Sequence, residues 1–300
     1  MTDAINETML LKCLDLAKEF KASAVVLFLD AADDWAFWKK IPNKKKLVLI
    51  TQKDEFAADL ENFKKEVKHV LKLPRVKLTR LGQIKLTVIM CLTEGVFKNN
   101  DRIICLTGAI GGGILDTMMA IDLSKETEVF TTRAFTKGLL RHVKPEVLEA
   151  VLNIAIELSS EGREGKAIGA MFVIGDHEKV AKLSKPLIMN PFKGYPEESR
   201  NILDTSVHET IKEFSLLDGA FIVREDGVVM AAGVHIDAAL ENEGLIPGLG
   251  CRHMAAAGIT DVTGAAAVSI SGSTGIVRIF SQGKIILELE KPVKGAEGQG

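Results

Sequence analysis

The chain has 300 residues, 47% of them hydrophobic and 26% charged, and a net charge of −2. That is a globular composition, long enough for two domains, with no overall field to attract nucleic acid or an anionic membrane. No CxxC pair joins Cys13, Cys91, Cys105 and Cys251, no basic-then-apolar leader opens the chain, and no apolar run nears the about 20 residues that span a bilayer, so the expectation is a cytoplasmic protein with neither nucleic-acid nor membrane partner.

Residues 2–21 read as an amphipathic helix with Ile5, Met9, Leu10, Cys13, Leu14, Leu16 and Ala17 on one stripe. Continuous apolar runs predict buried strands at Ala24–Leu29, Lys46–Thr51, Lys85–Met90 and Arg102–Thr107. The Lys/Glu-rich segment Lys53–Leu71 reads as helical, as does ILDTMMAIDL after the glycine-rich stretch Gly108–Gly113. A glycine-rich turn between strand and helix can cradle phosphate, but the spacing fits neither GxGxxG nor GxxxxGK[ST], and a tight structural turn reads as well. This strand–loop–helix pattern, with its GA-x-GGG turn, resembles the C-terminal α/β domain of pyruvate kinase. The likeness implies no kinase activity. A polar segment follows, and a domain boundary is expected near residue 125.

Pro145 opens a helix carrying Val147, Leu148, Val151, Leu152, Ile154, Ala155 and Leu158, which stops at Ser159–Gly162. After a turn at Arg163-Glu164-Gly165, Lys166–Gly175 reads as a strand ended by Asp176-His177. Ser199–Leu217 reads as one helix with Ile202, Thr205, Ile211, Phe214 and Leu217 inward, and with His208 as a packed or solvated side chain. It delivers the chain to LLDGAFIV, which turns through REDG, returns as VVMAAGVHI, and reaches GLGCRHMAAAGITDVT after an irregular Gly/Pro connection. Ala265–Ser271, Gly275–Phe280 and Lys284–Glu290 are short strands joined by tight turns, hence antiparallel. The fold class expected is α/β: an N-terminal small parallel α/β domain over residues 1–125, a C-terminal mixed-sheet α/β domain flanked by helices over 126–292, and a flexible tail over 293–300.

The chemistry gathers between Leu216 and Thr263. Asp218 is an acid beside a glycine at the mouth of an apolar run; it reads either as a metal-placing carboxylate or as a cap at a helix–strand junction. Gly219 would let a ligand approach the backbone closely. Arg252-His253 follow Gly248-Leu249-Gly250 at a helix start, where open N–H groups, the dipole and an arginine fork all favour phosphate; alone, such a pair is more readily an exposed charged pair.

The order of features decides between these readings. GREGKAIGAMFVIGD, Asn190-Pro191-Phe192, Asp218-Gly219-Ala220 and, some thirty residues later, G-x-R-H resemble the diadenylate cyclase domain over about residues 130–290. The resemblance implies condensation of two ATP into cyclic di-AMP and two pyrophosphates. It implies that Asp218 positions a metal ion and activates a 3′-hydroxyl. It implies nucleotide or phosphate contacts from Gly219, Ala220, Gly250, Cys251, Arg252, His253 and Ser271. It further implies Mn²⁺ or Mg²⁺, and self-association with active sites face to face. Three positions depart from the family pattern: Met254 replaces the last arginine of an RHR motif, Cys251 stands where threonine is common, and Gly272 where an acid is common. Met254 resembles the archaeal-type variant, which pairs this domain with a pyruvate-kinase-like partner. A second function class, a non-catalytic regulator that binds ATP or cyclic di-AMP, is motivated by Met254 and Gly272.

Overall fold

The computed structural model describes residues 2–32, 41, 44–53, 64–73, 78–125, 143–162, 168–238 and 250–290. The expected helix between 54 and 63, the polar segment 126–142, the turn at 163–165, the connection 240–249 and the tail lie outside the described residues. The chain divides into two compact units, Met1–Val129 and Phe130–Gly300.

The N-terminal unit is a five-stranded sheet in the order β3-β2-β1-β4-β5. Its strands are β1 (Ala24–Phe28), β2 (Leu47–Thr51), β3 (His69–Lys72), β4 (Arg102–Thr107) and β5 (Thr117–Asp122). The first four are parallel, and β5 adds an antiparallel edge. β1 and β2 are buried at every residue, which is why they read as unbroken apolar runs. Helix α1 (Thr2–Glu19) covers the sheet through Leu10, Cys13 and Ala17, while Ile5 and Leu16 of the expected stripe are exposed.

Three assignments in this unit are corrected. Lys85–Met90 is not a strand but part of helix α2 (Arg80–Thr93). Thr79 caps that helix by accepting from Gly82 N at 3.0 Å. Nearly every residue of the run is buried, so strand and helix periods cannot be told apart. The C-terminal end of the expected Lys53–Leu71 helix instead enters β3, and ILDTMMAIDL contains β5 rather than a helix. Gly108–Gly113 therefore joins two strands, and no helix start stands there to bind phosphate. The loop is a structural turn: Gly111 N donates to the Asp30 carbonyl (2.9 Å), and the Asn6 side chain bonds Gly113 O (2.9 Å) and Leu115 N (2.8 Å).

The C-terminal unit begins with α3 (Pro145–Glu161), proline in its first turn and Gly162 at φ +67° closing it. β6 (Met171–Ile174) is shorter than expected. Asp176 does not end the element but leads directly into α4 (His177–Lys182), and β7 (Ser184–Pro186) follows. The single helix expected over 199–217 is broken. Two 3₁₀ turns, Glu198–Arg200 and Thr205–Val207, precede α5 (His208–Phe214). Asp204 accepts from Ser206 N at 2.9 Å, a local bond that competes with helix, and Thr205 faces solvent. His208 Nε2 lies 2.7 Å from the Ile202 carbonyl, a packed side chain.

β8 (Ala220–Val223) and β9 (Val229–Ile236) form the hairpin through REDG, and α6 (Cys251–Val262) precedes β10 (Ala266–Ile270), β11 (Val277–Ser281) and β12 (Lys284–Leu289). The sheet order is β12-β11-β10-β6-β8-β9-β7, and only β6 and β8 run parallel. This is the mixed sheet flanked by helices that the sequence predicts. Registers Met171↔Ala220 and Ser269↔Met171 bring the starts of β6 and β8 and the end of β10 to one edge of the sheet. Gly169, Asp218 and Gly272 stand at that edge.

Candidate active site

The edge is built from chain termini of strands, where side chains leave the sheet. Asp218 is the second residue before β8, with its carboxylate 82% exposed. Arg252 is the second residue of α6, and its Nη2 donates to Asp218 Oδ1 at 2.9 Å. The acid and the arginine, 34 residues apart in sequence, thus meet at one point.

Gly169 and Gly272 make room for that meeting. A Cβ on Gly169 would stand 3.0 Å from Arg252 Nη1 and 3.1 Å from Gly272 N. The guanidinium therefore lies over bare backbone at the ends of β6 and β10. Its Nε is buried and has no hydrogen-bond partner among the described residues. A glycine inside an apolar run is a signal of close backbone approach, so Gly169 in KAIGAMFVIG was available to sequence reasoning as a site residue.

Helix α6 starts at Gly250, which caps it without a side chain. The Gly250 carbonyl accepts from His253 N (2.9 Å) and Met254 N (3.2 Å). The N–H groups of Cys251 and Arg252 have no acceptor within the helix and open at the same end as the guanidinium. Cys251 is exposed with a free thiol, and Met254 is 42% exposed. Gly250, Cys251 and Arg252 together form a cationic helix start able to bind a phosphate group.

Four expectations change in detail. Gly219 has φ +105°, and a Cβ there would stand 2.7 Å from Val234 N, so the packing of β9 already requires its missing side chain. The Ala220 side chain is fully buried in the core of the unit and offers a nucleotide only backbone. The Ser271 hydroxyl is already engaged in its own turn, accepting from Thr274 N and lying 3.2 Å from Ser273 Oγ. His253 is not the second member of a cation pair. It is 6% exposed, and burial, with Arg278 and Arg252 adding to it and Glu288 opposing, pushes its pKa down to about 4. Its Nε2 lies 3.0 Å from Arg278 Nη1, and Arg278 Nε pairs with Glu288. These two charged residues were missed from sequence; Arg278 is the lone charge in GIVRIF, but Glu288 lies between Lys284 and Glu290 in KIILELE and nothing local joins it to His253.

Among the described residues no group of three His, Cys, Asp or Glu side chains converges as a ready metal cage. Asp218 is the one carboxylate bonded to the site's arginine. A single carboxylate with substrate phosphates and water is how Mg²⁺ is commonly held, so the donor set fits a metal that arrives with a nucleotide.

Two family models match the chain. Residues 157–285 match the model described as DisA bacterial checkpoint controller nucleotide-binding. Residues 6–131 match the model described as "Probable sensor domain DacZ_P". A diadenylate cyclase from Methanocaldococcus jannaschii is 32% identical over 296 residues, covering 92% of this chain and 94% of that one. A diadenylate cyclase from Haloferax volcanii is 33% identical over 208 residues, 69% of this chain and 75% of that one. Among solved structures, a double mutant of DacA from Staphylococcus aureus aligns at 21% identity over 47% of this chain and 84% of that one. Its TM-score is 0.31.

Proposed function

This chain belongs to the diadenylate cyclase family, and from that premise we propose how its residues condense two ATP into cyclic di-AMP. The supporting observation is the 2.9 Å contact of Asp218 with Arg252 at the open start of α6. A carboxylate and a phosphate-binding cation at one point are what the reaction requires.

In each of two condensations a 3′-oxygen bonds to an α-phosphorus, the bond from that phosphorus to the β-phosphate bridging oxygen breaks, and pyrophosphate leaves. Arg252 and the N–H groups of Cys251 and Arg252 hold the phosphates and balance the charge that builds on the leaving group. A guanidinium has five N–H donors, so Arg252 can grip phosphate while keeping its bond to Asp218. Asp218 orients the attacking hydroxyl and takes up its proton. Asp218, together with the nucleotide's phosphate oxygens, would hold Mn²⁺ or Mg²⁺, which when bound would supply Lewis acidity toward the attacking hydroxyl. Ser271 and Gly219 act through backbone shape, Ser271 by ordering the turn that carries Gly272.

One such site binds one ATP. The second nucleotide is presented by another copy of the chain, sites face to face, so the working form is a homo-oligomer. The N-terminal unit, read as a pyruvate kinase C-terminal-like layer, serves regulation or assembly. No described helix is long and apolar enough to cross a membrane.

The test is Asp218→Asn against wild type. The variant is expected to bind ATP and to yield no cyclic di-AMP; turnover at the wild-type rate would remove Asp218 from the chemistry. A non-catalytic regulator would give tight ATP or cyclic di-AMP binding by calorimetry with no product from wild type.

A further inference from the structure

His253 contacts an arginine that is itself paired with a glutamate. It is the third residue of α6 and almost wholly buried. Its Nε2 lies 3.0 Å from Nη1 of Arg278 on β11, and Arg278 pairs through Nε with Glu288, its register partner on β12. The Phe280 ring packs against the imidazole at 6.0 Å.

The chemistry of this arrangement fixes a proton. Arginine stays protonated and has donors only, so Nε2 must accept. The single ring proton of the neutral imidazole then sits on Nδ1. Nδ1 is on the side of the helix start: a Cβ on Gly250 would stand 4.0 Å from it. The same end carries the open N–H groups of Cys251 and Arg252 and the Arg252 guanidinium.

We propose that Arg278 and Glu288 are positioning residues for dinucleotide synthesis, fixing His253 as a neutral Nδ1–H donor that joins Arg252 on a phosphate of ATP. This rests on the cyclase reading of the site. It makes His253 a directional donor, and it brings in two residues that touch no substrate. Glu288 holds the Arg278 fork in plane, and Arg278 holds the tautomer.

The test has two arms on the full-length chain. In the first, ¹⁵N-histidine NMR without nucleotide reads the tautomer, with His253 identified by the signal missing from His253→Asn. The Nδ1–H form is expected in wild type, and Arg278→Met should lose it. An Nε2–H form in wild type overturns the proposal, whether or not the protein turns over ATP. The second arm compares isosteres. Asparagine places its amide nitrogen near Nδ1, whereas glutamine reaches Nε2 and can accept from Arg278. His253→Asn should retain more ATP affinity than His253→Gln, by roughly tenfold, one phosphate hydrogen bond of ordinary strength. A purely structural histidine gives the reverse order, and that result also overturns the proposal. Should Arg278→Met fail to fold, the wild-type tautomer and the isostere pair still decide. Absence of cyclic di-AMP from wild type would instead count against the cyclase reading, separately from either arm.

Discussion

The same added methyl would do different things at Gly219 and Gly169. At Gly219 it meets backbone, with a Cβ 2.7 Å from Val234 N and 2.8 Å from Val234 O, at φ +105°. Gly219→Ala is expected to cost about 2 kcal/mol or more of stability, since neither the strained φ nor the strand can yield. Thermal melting checks it, and an unchanged midpoint would contradict the packing described. At Gly169, where φ is not left-handed, the methyl meets the end of the Arg252 side chain at 3.0 Å and the Gly272 backbone N less tightly, at 3.1 Å. Gly169→Ala should shift Arg252 off its bed and weaken ATP binding about tenfold, with a smaller loss of stability than Gly219→Ala. Calorimetry beside melting separates the two. Arg252→Lys should also weaken ATP, because a lysine keeps the charge but loses the fork.

At the scale of elements, helix α6 carries the site, and its seat is reported by pH. The pKa of His253 is depressed to about 4 in the folded chain, against an ordinary value of 6.5. Between those values the unfolded chain binds a proton that the folded one does not, so stability rises with pH across that window and is fully present above it. Lowering pH from about 6.5 to 4 should therefore destabilise wild type more than His253→Asn, by up to about 1.4 kcal/mol per pH unit. Denaturant unfolding at several pH values measures this, and parallel curves would place the imidazole in contact with water. Elements near α6 were legible in the sequence because their cues are local. A glycine before a small-residue helix, a hairpin through REDG and short strands between tight turns each occupy a few neighbouring residues. Assignments failed where burial erased periodicity, as in α2, or where a segment read as helical instead paired with the strand before it, as β3 does with β2 and β5 with β4. Meeting of Asp218 with Arg252 was legible only through the resemblance, since no spacing rule joins residues 34 apart. The Arg278–Glu288 clamp was not legible, because its meaning depends on which histidine lies over the strand pair.

For the whole molecule, net charge is close to neutral while the start of α6 is cationic. Selectivity for ATP therefore comes from local groups, and salt should weaken binding only modestly. If two copies each present one nucleotide, turnover per protomer should rise with protein concentration and then level off at the concentration where sedimentation shows association. Activity per protomer that stays flat while the chain is monomeric would contradict the face-to-face arrangement. The most direct test of the central claim, that Asp218 and Arg252 act on one ATP, is product analysis of the full-length chain with ATP and Mn²⁺ or Mg²⁺. The account predicts cyclic di-AMP and pyrophosphate in a one-to-two ratio from wild type and none from Asp218→Asn. Wild-type protein that binds ATP yet releases no dinucleotide with either metal would contradict it.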